Sequence, residues 1–172
     1  LERIKYNSMI EAASISINSS PYMGGYSAQH LYSDTLQSDI ALRRMVTPDF
    51  FKVFRYKSKS GSTDELVKAL ERDELVISED VEKSFFKNGE SAVGKEISLE
   101  KSDSAQLYRV GAVSTIIRYD NFTDFDTYFA KQIEEGYFHY FARDYVDVLE
   151  ICVRVKAKDD YDFSNRFRKQ MA

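Results

Sequence analysis

The 172-residue sequence contains no tryptophan, two prolines, two histidines and a single cysteine. Each scarcity excludes something. One thiol, Cys152, can close no internal disulfide and supplies no cysteine-rich metal site, and a lone thiol assigns no compartment. His30 and His139 stand at no spacing that joins them to acids in a zinc motif, so both read as surface or half-buried side chains. No apolar run approaches the ~18 residues that a membrane span requires. A dense basic face is missing too. Lys and Arg number 24 against 28 Asp and Glu, and the net charge of −4 is the wrong balance for a phosphate backbone. No secretory leader stands at the start, because Leu1 opens directly into amphipathic sequence. Without an initiating Met the chain reads as an excised fragment.

What is present is the composition of an ordered domain. Hydrophobic residues make up 43% and charged residues 30%, with Phe and Tyr at 12 each. A chain of this length holds one ordinary domain or two small subdomains sharing a core. Folding buries roughly 70% of the extended surface, so no covalent staple is needed.

Hydrophobic spacing gives a coarse order of elements. Residues 1–7 suit one or two helical turns with Leu1 and Ile4 on one side. Residues 9–18 read as a strand with Ile15 and Ile17 on one face, and 40–45 as a second. Between them, 19–35 is rich in Ser, Gly and Tyr and reads as a mobile loop. Thr47-Pro48-Asp49 is a helix start, with a hydroxyl cap, a proline and an acid, ahead of Phe50, Phe51 and Phe54. Ser62 and Glu65 fit a capping box for a helix to about Arg72. Leu75-Val76-Ile77 is a short buried strand, and Ser78 caps the helix that carries Val81, Phe85 and Phe86. Strands follow at 97–99 and 107–117. Phe125, Tyr128, Phe129 and Ile133 recur at helical spacing, which predicts a helix over 123–135 that stops at Gly136. Leu149, Ile151, Val153 and Val155 alternate with Glu150, Cys152, Arg154 and Lys156, the pattern of a strand with one buried face. Phe163, Phe167 and Met171 place a last helix after Asp159-Asp160. Interleaved helices and alternating strands give the α+β class.

Chemical motifs are weak throughout. The run from Gly89 to Glu96 nearly matches a phosphate loop, but Glu96 stands where a hydroxyl should hold magnesium. A helix precedes it and a strand follows, the reverse of what the motif needs. Asp120, Asn121, Asp124 and Asp126 lack the glycine and closing glutamate of a calcium loop. Cys152 lies mid-strand with no neighbouring base and reads as a packing thiol. No G-x-S-x-G elbow appears. Residues 119–145 are dense in aromatics, suited to core packing, with some left for an exposed partner patch. Asn18 and Asn121 open short glycosylation sequons of the kind that occur by chance.

Four segments in order carry a family resemblance. They are Val46-Thr47-Pro48-Asp49-Phe50-Phe51-Lys52-Val53-Phe54; Leu75-Val76-Ile77-Ser78-Glu79 with Phe85-Phe86; Ala92-Val93-Gly94-Lys95-Glu96-Ile97 leading to Tyr108-Arg109-Val110-Gly111-Ala112-Val113; and Ile151-Cys152-Val153-Arg154-Val155-Lys156. Together they resemble the MacB-like periplasmic core domain of bacterial ABC transporter permeases of the FtsX-like family. The resemblance runs over almost the whole chain from about Met9. It implies a two-lobed α+β fold, with a porter-like βαβ lobe from 1–72 and 142–172 and an inserted mixed α/β lobe at 73–141. Physical jobs accompany the motifs: Gly94 releases the chain from helix to strand, and Gly111 lets a neighbour approach a strand closely.

The resemblance implies a non-catalytic extracytoplasmic domain of an inner-membrane permease. It would hold no cofactor, ATP being handled by a separate cytosolic ABC ATPase reached through the membrane part. Implied partners are a second permease copy and a periplasmic adaptor, lipoprotein or peptide, with no nucleic acid. The alternative is a stand-alone extracytoplasmic ligand- or peptide-binding module that uses the aromatic stretch. Contact residues are expected in the loop, at Pro21, Tyr22, Gly24, Gly25 and Tyr26, and in the aromatic segment, at Tyr137, Phe138, Tyr140 and Phe141. The refused phosphate loop is directly testable. Calorimetry with magnesium-ATP should show no saturable binding, whereas micromolar binding that vanishes in Lys95→Ala would restore it.

Overall fold

Strands form in this chain where apolar residues recur at every second position or where short runs are buried on both faces. The structure, a computed structural model, is described over residues 4, 6–20, 27–33, 36–86, 89–102, 104–115, 127–156, 163, 165, 166 and 169. In chain order the elements are β1 (Ile10–Ile17), β2 (Ala28–Gln29), β3 (Tyr32–Ser33), β4 (Leu36–Gln37), β5 (Ala41–Val46), α1 (Phe50–Phe54), α2 (Thr63–Glu71), β6 (Leu75–Ser78), α3 (Glu79–Phe85), β7 (Glu96–Ser98), β8 (Leu107–Ser114), β9 (Tyr128–Gln132), α4 (Glu135–Asp144), a 3-10 turn (Val146–Val148) and β10 (Leu149–Val155). The strands form a single mixed sheet in the order β10-β1-β5-β9-β6-β8-β7-β3-β4, with β2 also paired to β5. Pairs β5–β9 and β6–β8 are parallel. The class is α+β, as the residue pattern implied.

Both faces of the central strands are covered. On one face Leu42, Val46, Val76, Tyr128 and Ala130 pack beneath Phe50, Phe51, Leu66 and Leu70 of α1 and α2. On the other, Ala41, Leu75, Ile77 and Phe129 pack against Leu31, Ile97 and Val81 and Phe85 of α3. Farther along this second face, Ile17, Met45 and Ile133 are covered by Phe138 and Phe141 of α4. A separate small cluster joins Ile4, Ile10 and Ala13 to Val153 and Phe163, so both ends of the described chain meet at one end of the β1–β10 ribbon. Lys156 N donates to Met9 O at 3.0 Å there.

Five local expectations are corrected. Within the stretch read as a loop over 19–35, Ala28–Gln29 and Tyr32–Ser33 are short strands and Leu31 is fully buried between them, because these residues pair with β5 and with β4 and β7. Residues 128–132 are strand β9, not helix. Tyr128 and Ala130 face one core and Phe129 the other, and burial on both faces mimics helical spacing when read as periodicity alone. Gly136 accordingly sits in the first turn of α4 rather than ending a helix. The hydroxyls of Thr47 and Ser78 are not helix caps. Thr47 Oγ1 accepts from Ile15 N at 3.0 Å, and Ser78 Oγ accepts from Tyr128 N at 3.0 Å. Strand β10 buries neither face fully, and Ile151 is 57% exposed, because β10 lies at the sheet edge.

Other expectations hold. Ser62 Oγ accepts from Glu65 N at 3.4 Å and starts α2. The Glu65 carboxyl is held below its ordinary range by hydrogen bonds from Ser58 and Ser60. Gly94 takes φ +88°, the left-handed region that turns the chain into β7. At Gly111 the β6–β8 register slips, Leu75 facing Val110 and Val76 facing Ala112, which sets Val110 and Val113 into the same core. A Cβ built on Gly111 would stand 2.7 Å from Ala69 Cβ and 2.7 Å from Glu74 Cβ, and closer still to Glu74 Oε2. The end of α2 therefore rests on β8 only because position 111 has no side chain. Urea unfolding should show Gly111→Val less stable by about 1–3 kcal/mol through overpacking, and Phe51→Ala, which empties a fully buried site, by about 3–5 kcal/mol.

Candidate functional site

The β1–β10 ribbon leads from the Ile4–Phe163 cluster to a junction where it meets the rest of the sheet. Asn18 turns the chain there with φ +43°, and its N–H donates to Val148 O at 3.2 Å. One carboxylate oxygen then fixes the turn. Glu150 Oε2 accepts from Ser16 Oγ at 2.7 Å, Ser19 N at 3.0 Å, Ser20 N at 2.8 Å and Ser20 Oγ at 2.7 Å. Ser19 Oγ accepts from Met45 N at 3.1 Å and donates to Ile17 O at 2.7 Å. Ser20 Oγ also lies 2.9 Å from Cys152 Sγ. Burial pushes the Cys152 thiol up, and the contact with Ser20 pulls the other way. Pro21, Tyr22, Gly24, Gly25 and Tyr26 lie outside the described residues, but the chain enters and leaves them at fixed points. Ser20 is held by Glu150, and Ser27 O accepts from Arg43 N at 2.7 Å.

The same junction carries α4. Its sequence places Phe138 and Phe141 one turn apart on the inner side, against Ile17, Met45 and Ile133. Both are half-buried. Tyr137 and Tyr140 face outward at 47% and 44% exposure, and Tyr145 and Val146 extend the exposed surface. The rings pack among themselves, with Tyr137 stacked on Phe141 at 6.4 Å and Tyr140 against Tyr145 at 5.3 Å. Of the four aromatic candidates, two are surface and two are the anchors that hold the surface in place. Glu150, which follows the 3-10 turn after α4, holds Ser19 and Ser20, the last described residues before the loop candidates, so this end of the described chain and the α4 aromatics share one junction.

Beside α4 the second sheet face is open. The cover formed by α3 and the β7–β8 strands stops, and α4 begins after a gap of about 430 Å³. Arg43 and Lys131 lie on its floor. Lys131 Nζ bonds Glu134 and, at 3.3 Å, Tyr108 Oη, and sits 4.6 Å above the Tyr108 ring. Burial would push the Lys131 ammonium down, but the hydrogen bonds it donates to Glu134 and Tyr108 outweigh it and its pKa is raised. The sign follows: its contribution to stability is complete below the ordinary lysine range and is lost as pH rises through the raised value. The sequence reading passed over both cations. The available signal was Arg43-Arg44 inside an apolar strand, which must place one guanidinium on each face.

The refused motifs are occupied by structural contacts. In the 89–96 turn, Gly94 N donates to Val110 O at 2.8 Å, Ala92 N to Glu82 Oε1 at 3.0 Å, and Lys95 Nζ pairs with Glu90 at 2.5 Å. His30 Nδ1 lies 2.8 Å from Ser38 O, and His139 is an exposed α4 residue near Glu135. Asp120, Asn121, Asp124 and Asp126 fall outside the described residues.

A family model of the MacB-like periplasmic core domain matches residues 2–165. Among solved structures, the fold is similar to the periplasmic region of MacB from Actinobacillus actinomycetemcomitans, at 15% identity and TM-score 0.62, covering 99% of this chain and 69% of that one. It is similar to a domain assigned to a permease protein from Porphyromonas gingivalis, at 14% identity and TM-score 0.64, covering 98% and 74%. The extracellular domain of the noncanonic ABC-type transporter YknZ from Gram-positive bacteria aligns at 11% identity and TM-score 0.54, covering 92% and 72%. No curated protein matches the sequence.

The Glu150 clamp predicts the behaviour of the thiol. Iodoacetamide should alkylate Cys152 more slowly in the native chain than in the urea-unfolded chain. Glu150→Ala should raise the native rate by releasing Ser20. Equal rates in the two native proteins, read by mass spectrometry, would show that the clamp does not shield the thiol.

Proposed function

Because the chain belongs to the family of MacB-like periplasmic core domains, we propose that it is the extracytoplasmic domain of an ABC transporter permease that relays ATP-driven movement and contacts substrate or partner proteins. The observation that carries this reading beyond the family is the path of the chain. Ile4 and Phe163 meet at one end of the β1–β10 ribbon, so both flanks can lead toward a common membrane surface. The opposite end of the ribbon joins the Glu150 clamp and the α4 tyrosines. A movement entering at the paired ends thus reaches the exposed aromatic surface through one pair of hydrogen-bonded strands.

In this reading the domain is non-catalytic and carries no cofactor. ATP is hydrolysed by a cytosolic ATPase partner, and the permease works as a dimer. The lobe built from 1–72 and 142–172 meets the insert at 73–141 along the β5–β9 pair. The use is export, lipoprotein extraction or peptide efflux or sensing, with an adaptor, lipoprotein or peptide as the partner.

The test is made in the full-length permease. Tyr137→Ala and Tyr140→Ala should each change stability by no more than about 0.5 kcal/mol, as exposed positions do, and Tyr22→Ala and Tyr26→Ala should leave the melting temperature nearly unchanged, yet all four should lower transport or partner binding. Phe138→Ala should instead lower the melting temperature. Full transport in all four tyrosine variants would remove the junction from the contact surface.

A further inference from the structure

The second sheet face is apolar along β5 and β9 except in one place. On β5 the residues facing this side are Ala41, Arg43 and Met45; on β9 they are Phe129 and Lys131, followed by Ile133 just past the end of the strand. The parallel register sets Arg43 beside Phe129 and Met45 beside Lys131. Each strand thus carries a cation between two apolar positions, and the two cations are diagonal neighbours. They coincide with the gap between the α3–β7–β8 cover and α4.

The two cations differ in how they are satisfied. Lys131 is paired with Glu134 and bonded to Tyr108. Arg43 is half-buried, and among the described residues its guanidinium has no hydrogen bond or ion pair. Partly buried charges are normally paired, and a guanidinium presents a planar fork of donors that matches a carboxylate. Other donors converge on the same space. Gln106 uses its carbonyl oxygen for Tyr108 Oη at 2.9 Å, leaving its amide hydrogens, and the Tyr137 ring stands at the wall. The gap of about 430 Å³ has the size of a small-ligand site.

We propose that this gap binds a carboxylate-bearing ligand, with the carboxylate on Arg43 and an apolar or aromatic group between Met45 and Tyr137. The acids at the gap set the ligand's charge. Glu134 is neutralised by Lys131, and Glu100 stands exposed at the rim. A polyanion would meet Glu100 unfavourably, so the ligand carries one carboxylate and is otherwise neutral. The carboxylate can come from an acidic peptide or from a small free acid. The proposal stands on the residues of the gap and does not depend on the permease reading.

The experiment titrates the isotope-labelled chain with acetyl-Phe-Glu-amide, its neutral counterpart acetyl-Phe-Gln-amide, and 3-phenylpropionate, reading amide shifts by NMR. At least one carboxylate probe should bind saturably, with shifts clustered at Arg43, Lys131 and Tyr137. Arg43→Gln should weaken that binding by about tenfold or more, the worth of a lost charged hydrogen bond, with an unchanged melting temperature. Binding of the peptide alone identifies a peptide source, and binding of phenylpropionate alone a free acid. The proposal is overturned if neither acid binds, if the Gln peptide binds as tightly as the Glu peptide, or if the wild-type shifts cluster elsewhere. The shift map in the wild-type chain decides the matter even where Arg43→Gln fails to fold.

Discussion

The parallel pairing of β5 with β9 is the constraint on which the sheet depends, and Arg44 stands at its centre. The guanidinium is almost wholly buried, 4.5 Å from the Tyr128 ring centre, 5.5 Å from Tyr56 and 5.9 Å from Phe50, and Nη1 donates to Tyr56 Oη at 2.8 Å. A buried cation is costly unless its surroundings replace water. Here aromatic faces supply part of that replacement, since ring quadrupoles attract cations. The same contacts join β5 to β9 and to the helix layer. Tyr128 in turn bonds Ser114 on β8, and burial pushes its phenol far up, so it stays a neutral donor. One side chain therefore links three strands and α1.

Small hydroxyls perform a second service across the same seams. Thr47, Ser78 and Ser19 each accept a backbone N–H from a neighbouring strand, at Ile15, Tyr128 and Met45 respectively. Strands of unequal length and staggered ends leave amides without a ladder partner, and a buried amide without a partner is expensive. Serine and threonine at the strand ends solve this locally. The position of Thr47 and Ser78 just ahead of α1 and α3 made those two resemble helix caps, because the same residue types serve both purposes.

Legibility followed the range of the interactions. The strands β1 and β10 and the hydroxyl cap at Ser62 are local and visible in the chain itself, whereas the reciprocal half of the capping box is absent, because Ser62 N donates to Ser58 Oγ at 3.2 Å and the Glu65 carboxyl turns to Ser58 and Ser60. The bulge at Gly111 was legible as a close approach, though the partners, Ala69 near the end of α2 and Glu74 just before β6, were not. What failed was decided by partners distant in sequence. Residues 128–132 are a strand because β5 and β6 flank them, and nothing in their own spacing distinguishes that from a helix. The aromatic candidates on α4 were legible as a group but not as anchors and surface, since that division depends on where Met45 and Ile17 stand. Arg43 and Lys131 became a pair only through the parallel register, which sequence spacing does not reveal.

The β1–β10 ribbon has mechanical properties that follow from its rungs. Seven residue pairs join β1 to β10, whereas only Ser16–Val46 and Ile17–Met45 join β1 to β5. Eight strand residues extend roughly 27 Å, so the ribbon is a stiff arm attached by a short joint. A pull along its axis loads the seven pairs together in shear, and they share the force. A sideways push loads the two-pair joint in bending, where few bonds resist it. Thr47 braces that joint through both its N–H to Ile15 O and its hydroxyl to Ile15 N. Arg154 Nε adds a strut to Val53 O at 2.7 Å. Resistance therefore differs with direction: the arm is stiffest along its length, and a sideways load falls on a short joint braced by two rungs, Thr47, Ser19, Arg154 and the packing of Ile17 on Met45.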